Sequence, residues 1–190
     1  MFKFYRMAAQ TNLENLVKPG EEILSLADAC RTSSFQFMDH TPMTVAIAPD
    51  SGYDFPDFLY NDGIPLISPA FKRILDREGV DNLFYKPVYL EDTPVGKREP
   101  YILALPPRIL AVRQKYMRPM DEDDEFAGKE LAKDECGIAH YKVNVSAVGN
   151  YRIFKLADVW DTDIIVTHEL MEAVSSAHLS NVFFVGLEEE

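Results

Sequence analysis

The stretch Leu66-Ile-Ser-Pro-Ala-Phe-Lys-Arg-Ile-Leu-Asp-Arg-Glu-Gly-Val-Asp-Asn-Leu-Phe-Tyr85 constrains the fold more than any other part of the chain. Ser68 offers a side-chain oxygen to the free N–H groups of a helix start, and Pro69 at the first helical position has a suitable fixed φ. Phe71, Ile74 and Leu75 follow at the i, i+3, i+4 spacing of a buried stripe. Gly79 falls where a helix of about ten residues ends, since glycine enters the left-handed C′ conformation without a Cβ penalty. Leu83 to Leu90, rich in aromatic and branched residues, reads as a strand. Ile64 to Ile67 feeds the helix from the other side, so the predicted unit is strand, capped helix, strand.

The unit has an echo at an offset of 99 residues, where Ile165 to Phe184 aligns without a gap. Thr167 stands for Ser68, Leu170 for Phe71, and Ala173 and Val174 for Ile74 and Leu75. Leu179, Asn181, Val182, Phe183 and Phe184 stand for Val80, Asn82, Leu83, Phe84 and Tyr85. Two readings fit: an internal duplication, or two short units obeying the same packing rules. Two copies fall short of the three or more of a solenoid. The similar units are therefore expected around 66–90 and 165–187.

Elsewhere the signals are shorter. Phe2 to Met7 reads as a first strand, Glu21 to Arg31 as a helix entered through Pro19-Gly20, and Met43 to Ala48 as a strand between prolines. Tyr53 to Tyr60, rich in aromatics and prolines, reads as an ordered surface loop leading to the Asn61-Asp-Gly63 turn. Thr93 to Pro100 reads as a loop and Tyr101 to Leu105 as a strand stopped by Pro106-Pro107. Arg108 to Met120 fits helix and strand equally. From Ala139 to Ala147 apolar residues take the odd positions, the mark of a half-buried strand. Gly149-Asn150 then suits a two-residue hairpin turn into Tyr151 to Leu156. The expected fold is α+β, one domain over 1–190 with a mixed or antiparallel sheet and a few flanking helices.

With 190 residues and 47% hydrophobic content, the chain can bury one sizeable core. It has no apolar run of membrane-spanning length and no signal-peptide core near Met1. Cys30 and Cys136 form no C-x-x-C pair and read as reduced thiols, which with the missing signal implies a cytoplasmic protein. The net charge of −12 is spread evenly, with 8 basic and 14 acidic residues through Val95 and 11 and 17 beyond it. Without a basic half or stripe, nucleic acid is not the expected ligand, whereas a basic protein partner suits the charge. Asp121, Glu122, Asp123, Asp124 and Glu125 form the densest acidic block, expected to be exposed and mobile. These five are the candidate partner-binding residues.

Catalytic patterns are weak. His168-Glu-Leu-Met-Glu172 is close to the H-E-x-x-H zinc motif but has Glu172 in place of the second histidine, and Glu169 suits the positive end of a helix dipole. Cys136 and His140 suggest a thiol and its base. Along a strand, however, they stand about 13 Å apart, against the roughly 3 Å that proton transfer needs. Asp54 with Asp57 and Asp161 with Asp163 are paired carboxylates that no flanking motif marks as acid and base. No phosphate-cradling or nucleophile-elbow motif occurs among only nine glycines. No catalytic, metal-ligating or cofactor-binding residue is therefore assigned.

Ile64-Pro-Leu-Ile-Ser68, the helix to Leu75, Gly79-Val80 and Asn82-Leu-Phe-Tyr-Lys-Pro-Val88 resemble the immunity-protein domain of bacterial polymorphic toxin systems, a family long carried as a domain of unknown function. The resemblance is to its P-L-[IV]-S, short helix, aromatic-Pro-Val core. Leu179-Ser-Asn-Val-Phe-Phe184 is similar to the family's final helix-to-strand turn. The match spans roughly the last two thirds of the chain and is clearest over Tyr53 to Leu90, on packing and turn residues. The Asp121 block has no counterpart in the pattern. The resemblance implies a non-enzymatic protein that binds and neutralises a cognate toxin domain, with no catalytic residues to carry over. An acidic immunity protein would suit a basic, nuclease-type toxin by charge complementarity. Two other classes stay open: a small cytoplasmic hydrolase with an unrecognised carboxylate or histidine site, and a regulatory module that binds another protein.

Overall fold

A computed structural model describes residues 3–11, 13–116, 140–157 and 163–187. The fold is α+β, and it contains two five-stranded sheets where the sequence suggested one. The first part of the chain contributes β1 (Phe4–Ala8), a 3-10 turn over Glu21–Leu26 that runs into α1 (Ala27–Thr32), and β2 (Met43–Ala46). Next come β3 (Phe58–Asn61), β4 (Ile64–Ile67), α2 (Pro69–Arg77), β5 (Phe84–Asp92) and β6 (Lys97–Leu105). The remainder supplies β7 (Arg108–Ile109), β8 (Val112–Tyr116), β9 (His140–Val143), α3 (Val145–Val148), β10 (Ile153–Leu156), β11 (Ile164–Thr167), α4 (His168–Ser176) and β12 (Phe183–Gly186). One sheet has the order β12-β1-β11-β10-β7, the other β2-β5-β6-β4-β3, and β8 pairs with β9 alone.

Both predicted helices form where their caps stand. The Ser68 hydroxyl accepts from the Phe71 N–H at 3.1 Å, and that of Thr167 accepts from Leu170 N–H at 3.5 Å. Phe71 and Leu75 are buried on α2, as are Leu170 and Val174 on α4. Each helix runs nine residues and leaves through a left-handed residue, Gly79 at φ +68° and His178 at φ +50°. These two positions are again 99 apart.

The repeat extends beyond the residues that align. In one half β4 and β5 flank β6, both antiparallel to it; in the other β11 and β12 flank β1 in the same sense. Ile67 and Pro87 both face Ile102, while their counterparts Val166 and Gly186 both face Tyr5. β1 thus takes, from the start of the chain, the place that β6 takes by following β5. On the outer side Phe58 faces Ile67 and Ile153 faces Val166, so β10 corresponds to β3. Two side chains then bind reciprocally across the halves. Asn82 donates to the Ile153 carbonyl at 2.8 Å, and Asn181 donates to the Phe58 carbonyl at 2.9 Å. Helix–strand packing rules alone do not dictate this exchange, so the chain contains a structural repeat.

The main core lies where α2, α4 and one face of each sheet meet, with Phe58, Ile67, Phe71, Ile153, Val166 and Leu170 among its members. A second core fills the other face of the β5–β6 sheet beneath the segment from Val17 to Val45, and a third lies on the other face of the β1–β11 sheet around Phe154 and Val148.

Three local expectations need correction, and one open stretch is resolved. Phe58–Asn61 is a strand rather than surface loop, and Phe58 is wholly buried because the aromatic side chain faces the central core. The loop after Glu91 is short: Val95 and Gly96 donate to the Asp92 carbonyl, and pairing resumes at Lys97. The ambiguous stretch resolves into β7 and β8 up to Tyr116; the rest of it, 117–120, lies outside the described residues. The alternation after Ala139 holds only to Val143, because Val145 and Val148 face the third core at helical i, i+3 spacing. Ala147, which a strand would bury, is exposed, and Gly149 at φ +61° ends that helix instead of turning a hairpin.

Candidate partner-binding surface

The chemically suggestive residues fall into separate places. His168 opens α4 and its Nε2 lies 3.2 Å from Glu172, an i, i+4 pair on the helix surface. Glu169 is held below the usual carboxylate range by its backbone N–H and the Thr167 hydroxyl, as a first-turn acid should be. Among the described residues no three His, Cys, Asp or Glu side chains come together as a metal site. Asp163 pairs with Arg6 at 3.3 Å, and its sequence partner Asp161 lies outside the described residues. Asp54 accepts from Asn15 Nδ2 at 2.5 Å. Asp57 accepts from the Ser68 hydroxyl on one oxygen and from the Ser180 N–H and hydroxyl on the other. Cys136 and the block Asp121, Glu122, Asp123, Asp124 and Glu125 lie outside the described residues, and of His140 only its place at the start of β9 is described. No helix of the described residues is long and apolar enough to cross a membrane.

Sequence reasoning missed Lys155. It sits in the run Ile153-Phe-Lys-Leu156, is 1% exposed, and donates to the carbonyls of Cys30 at 3.1 Å and Gly63 at 3.4 Å. One amine so ties β10 to α1 and to the β3–β4 turn. Burial pushes its ammonium down to about 8 and the Cys30 thiol up to about 11, with the attraction between the charged forms opposing burial at both. Above pH 8 the unfolded chain holds a lysine proton that the folded chain has lost, so stability rises at about 1.4 kcal/mol per pH unit. Above about pH 9 the unfolded cysteine ionises while Cys30 does not, which cancels the gain. Urea titrations should show a rise of about 1 kcal/mol between pH 8 and 9 that Lys155→Met abolishes. A flat wild-type profile would mean the amine is not desolvated.

Large apolar side chains stand exposed on one flank. Leu13 is 41% exposed, Tyr53 76%, Phe183 45% and Val185 47%. Leu13, Tyr53, Phe55, Pro56 and Phe183 line a groove of about 470 Å³ together with Asp54. The backbone beneath it is braced. Asp54 exchanges main-chain hydrogen bonds with Asn15 and Val17, and Gln10 binds both ends of the Asn181 amide. A second groove of about 440 Å³ adjoins it between the segment Gln10–Leu24 and the β3–β4 turn, sharing Gln10 and Leu16. Contiguous exposed apolar groups with a charged rim are the usual mark of a protein-binding surface. Two sequence signals could have found it: the aromatic density around Tyr53, and the Phe183-Phe184 doublet, which strand alternation forces onto opposite faces.

No family model matches the chain, and no curated protein matches it.

Proposed function

We propose that this is an immunity protein, a cytoplasmic, non-catalytic binder that neutralises the cognate toxin domain of a bacterial polymorphic toxin system. The observation that carries the reading is the braced apolar groove around Tyr53 and Phe183, edged by Asp54 on a chain of net charge −12. The residues that carry the resemblance also fold as one unit, β4-α2-β5, capped by Ser68 and left through Gly79, which supports the reading. The partner is a basic domain, drawn in by the distributed negative field, to which Asp121–Glu125 contribute, and retained by aromatic contacts. Asp57, which a hydrolase reading would draw on, has both carboxylate oxygens occupied by serine donors.

The test is co-expression with the toxin domain encoded beside this gene in a bacterial host that the toxin alone kills. The wild type should restore growth and bind one to one. Tyr53→Ala should weaken binding about thirtyfold, the effect of losing a roughly 2 kcal/mol contact. Death of cells that carry the folded wild type, or undiminished protection by a Tyr53→Ala, Leu13→Ser double variant, would dismiss the reading.

A further inference from the structure

The repeat allows the two halves to be compared residue by residue, and they differ in what covers the outer edge of β5 and of β12. Leu187 N–H donates to the Phe4 carbonyl at 3.0 Å. In an antiparallel ladder, therefore, Phe183, Val185 and Leu187 turn their backbone groups toward β1, and Phe184 and Gly186 turn theirs outward. The corresponding outward residues of β5 are Tyr85 and Pro87. There the edge is closed: Pro87 has no N–H to offer, and the His40 Nδ1–H donates to the Tyr85 carbonyl at 2.7 Å. The adjoining face is covered as well. Phe84 stacks on His40 at 4.6 Å and on Phe35 at 5.9 Å, and Lys86 is held by Asp39 Oδ1 and the Thr41 carbonyl at 2.6 Å each.

On β12 the same positions are bare among the described residues. Phe183 corresponds to Phe84 and Val185 to Lys86, and they are the exposed pair 45% and 47% open to solvent. Gly186 keeps the N–H that Pro87 lacks. The segment Phe35–Thr41, which opens as a 3-10 turn over Phe35–Phe37, thus shows within this molecule what closes such an edge: a chain that supplies a side-chain hydrogen bond to the outward backbone and apolar side chains to the face. Among the described residues β12 has no such cover.

We propose that the outer edge of β12 is a strand-accepting site, and that its occupant is an extended, lysine- or arginine-bearing segment of the partner toxin, which pairs with Phe184 and Gly186 and packs on Phe183 and Val185. This rests on the immunity-protein reading and specifies where the partner binds. The charge of the occupant follows from the surroundings. Phe183 lines the groove that Asp54 edges, the chain carries a net charge of −12, and the nearby guanidinium of Arg6 is engaged by Asp163. Backbone pairing supplies affinity in such strand addition, and the side chains of alternate residues supply selectivity.

The experiment uses the full chain and a catalytically inactivated toxin domain from the neighbouring reading frame. Gly186→Pro removes one outward donor in the way Pro87 does naturally on β5, and Val185→Lys places there the residue type found at 86. Each should bind about tenfold or more weakly while melting within a few degrees of the wild type. Amide exchange at Phe184 and Gly186 should slow on complex formation. Full-strength binding by both variants, with unprotected amides, would overturn the strand-accepting site and leave the immunity reading standing. No binding by the wild type would remove both. A concentration-dependent dimer that Gly186→Pro abolishes would assign the edge to a second copy and overturn the toxin segment as occupant. A large fall in melting temperature with Val185→Lys alone would show the face to be covered from within the chain, and would overturn it too.

Discussion

Phe71→Ala will lower the unfolding free energy by about 3–5 kcal/mol, a large share of the roughly 5–15 kcal/mol that holds a domain of this size together. Phe71 is 1% exposed and meets the Phe58 ring edge-on at 5.9 Å. Phe58 opens β3, so the truncation empties the place where α2 rests on its own sheet. The same core contains Leu170, Val174 and Ile153 from the other half, which fixes their packing through shared neighbours and limits collapse into the void. Leu170→Ala, at the equivalent position of α4, belongs in the same range, about 2–5 kcal/mol. Because both residues line one core, the double variant should cost less than the sum of the two singles. Urea denaturation at neutral pH measures all three. A Phe71→Ala loss below about 1 kcal/mol, the range of ordinary surface changes, would mean the buried face of α2 is wrongly assigned.

Local chemistry determined which parts of this fold were legible. Ser68 and Thr167 cap, Pro69 starts and Gly79 ends, because each acts on backbone groups within four residues, and those elements appeared where expected. The 99-residue echo was visible because packing residues recur, but its extent was not. The strand that completes the second half is β1, supplied from far away in sequence, and no local pattern ties Tyr5 to Gly186. Phe58–Asn61 read as loop because prolines and aromatics dominate Tyr53–Tyr60, and only tertiary burial of Phe58 makes it a strand. Val145–Val148 read as strand because alternation and helical spacing coincide over so few positions. Lys155 was illegible for a different reason: a lysine in an apolar strand ordinarily faces water, and the carbonyls that accept it come from Cys30 and Gly63, distant in sequence. The apolar groove was not legible in the sequence, because the Tyr53 and Phe183 segments that form it stand more than a hundred residues apart, as do the Asp57 and Ser180 that bond beside it.

Those bonds make Asp57→Ala the second large effect, a loss of about 2–3 kcal/mol, since hydrogen bonds to a charged group contribute about 1.5–3 kcal/mol and this carboxylate is partly open to water. Asp57 accepts from Ser68 Oγ at 2.6 Å and from the N–H and hydroxyl of Ser180 at 2.9 Å each. It therefore joins the start of α2 in one half to the turn before β12 in the other. Burial alone would raise its pKa, but the Ser68 and Ser180 donors outweigh that and hold it below the usual carboxylate range. A depressed folded pKa stabilises the protein above the ordinary aspartate value of about 3.9, and the contribution vanishes as pH falls through the lower folded value. The gap between wild type and Asp57→Ala, measured by urea titration, should therefore be widest near pH 7 and narrow below about pH 4. Asp57→Asn separates charge from shape: it can keep the Ser180 N–H bond through its amide oxygen, and should lose about half as much. The apolar groove depends on the same residue. Ser180 precedes Asn181, whose left-handed φ of +60° sets the chain into β12, so freeing the turn lets Phe183 leave the groove. If the proposed function holds, Asp57→Ala should bind the toxin domain more weakly than its stability loss alone explains, because the folded fraction stays near unity while the groove loses its fixed shape. Equal affinity for wild type and variant at neutral pH would separate the staple from the binding surface and confine Asp57 to holding the halves together.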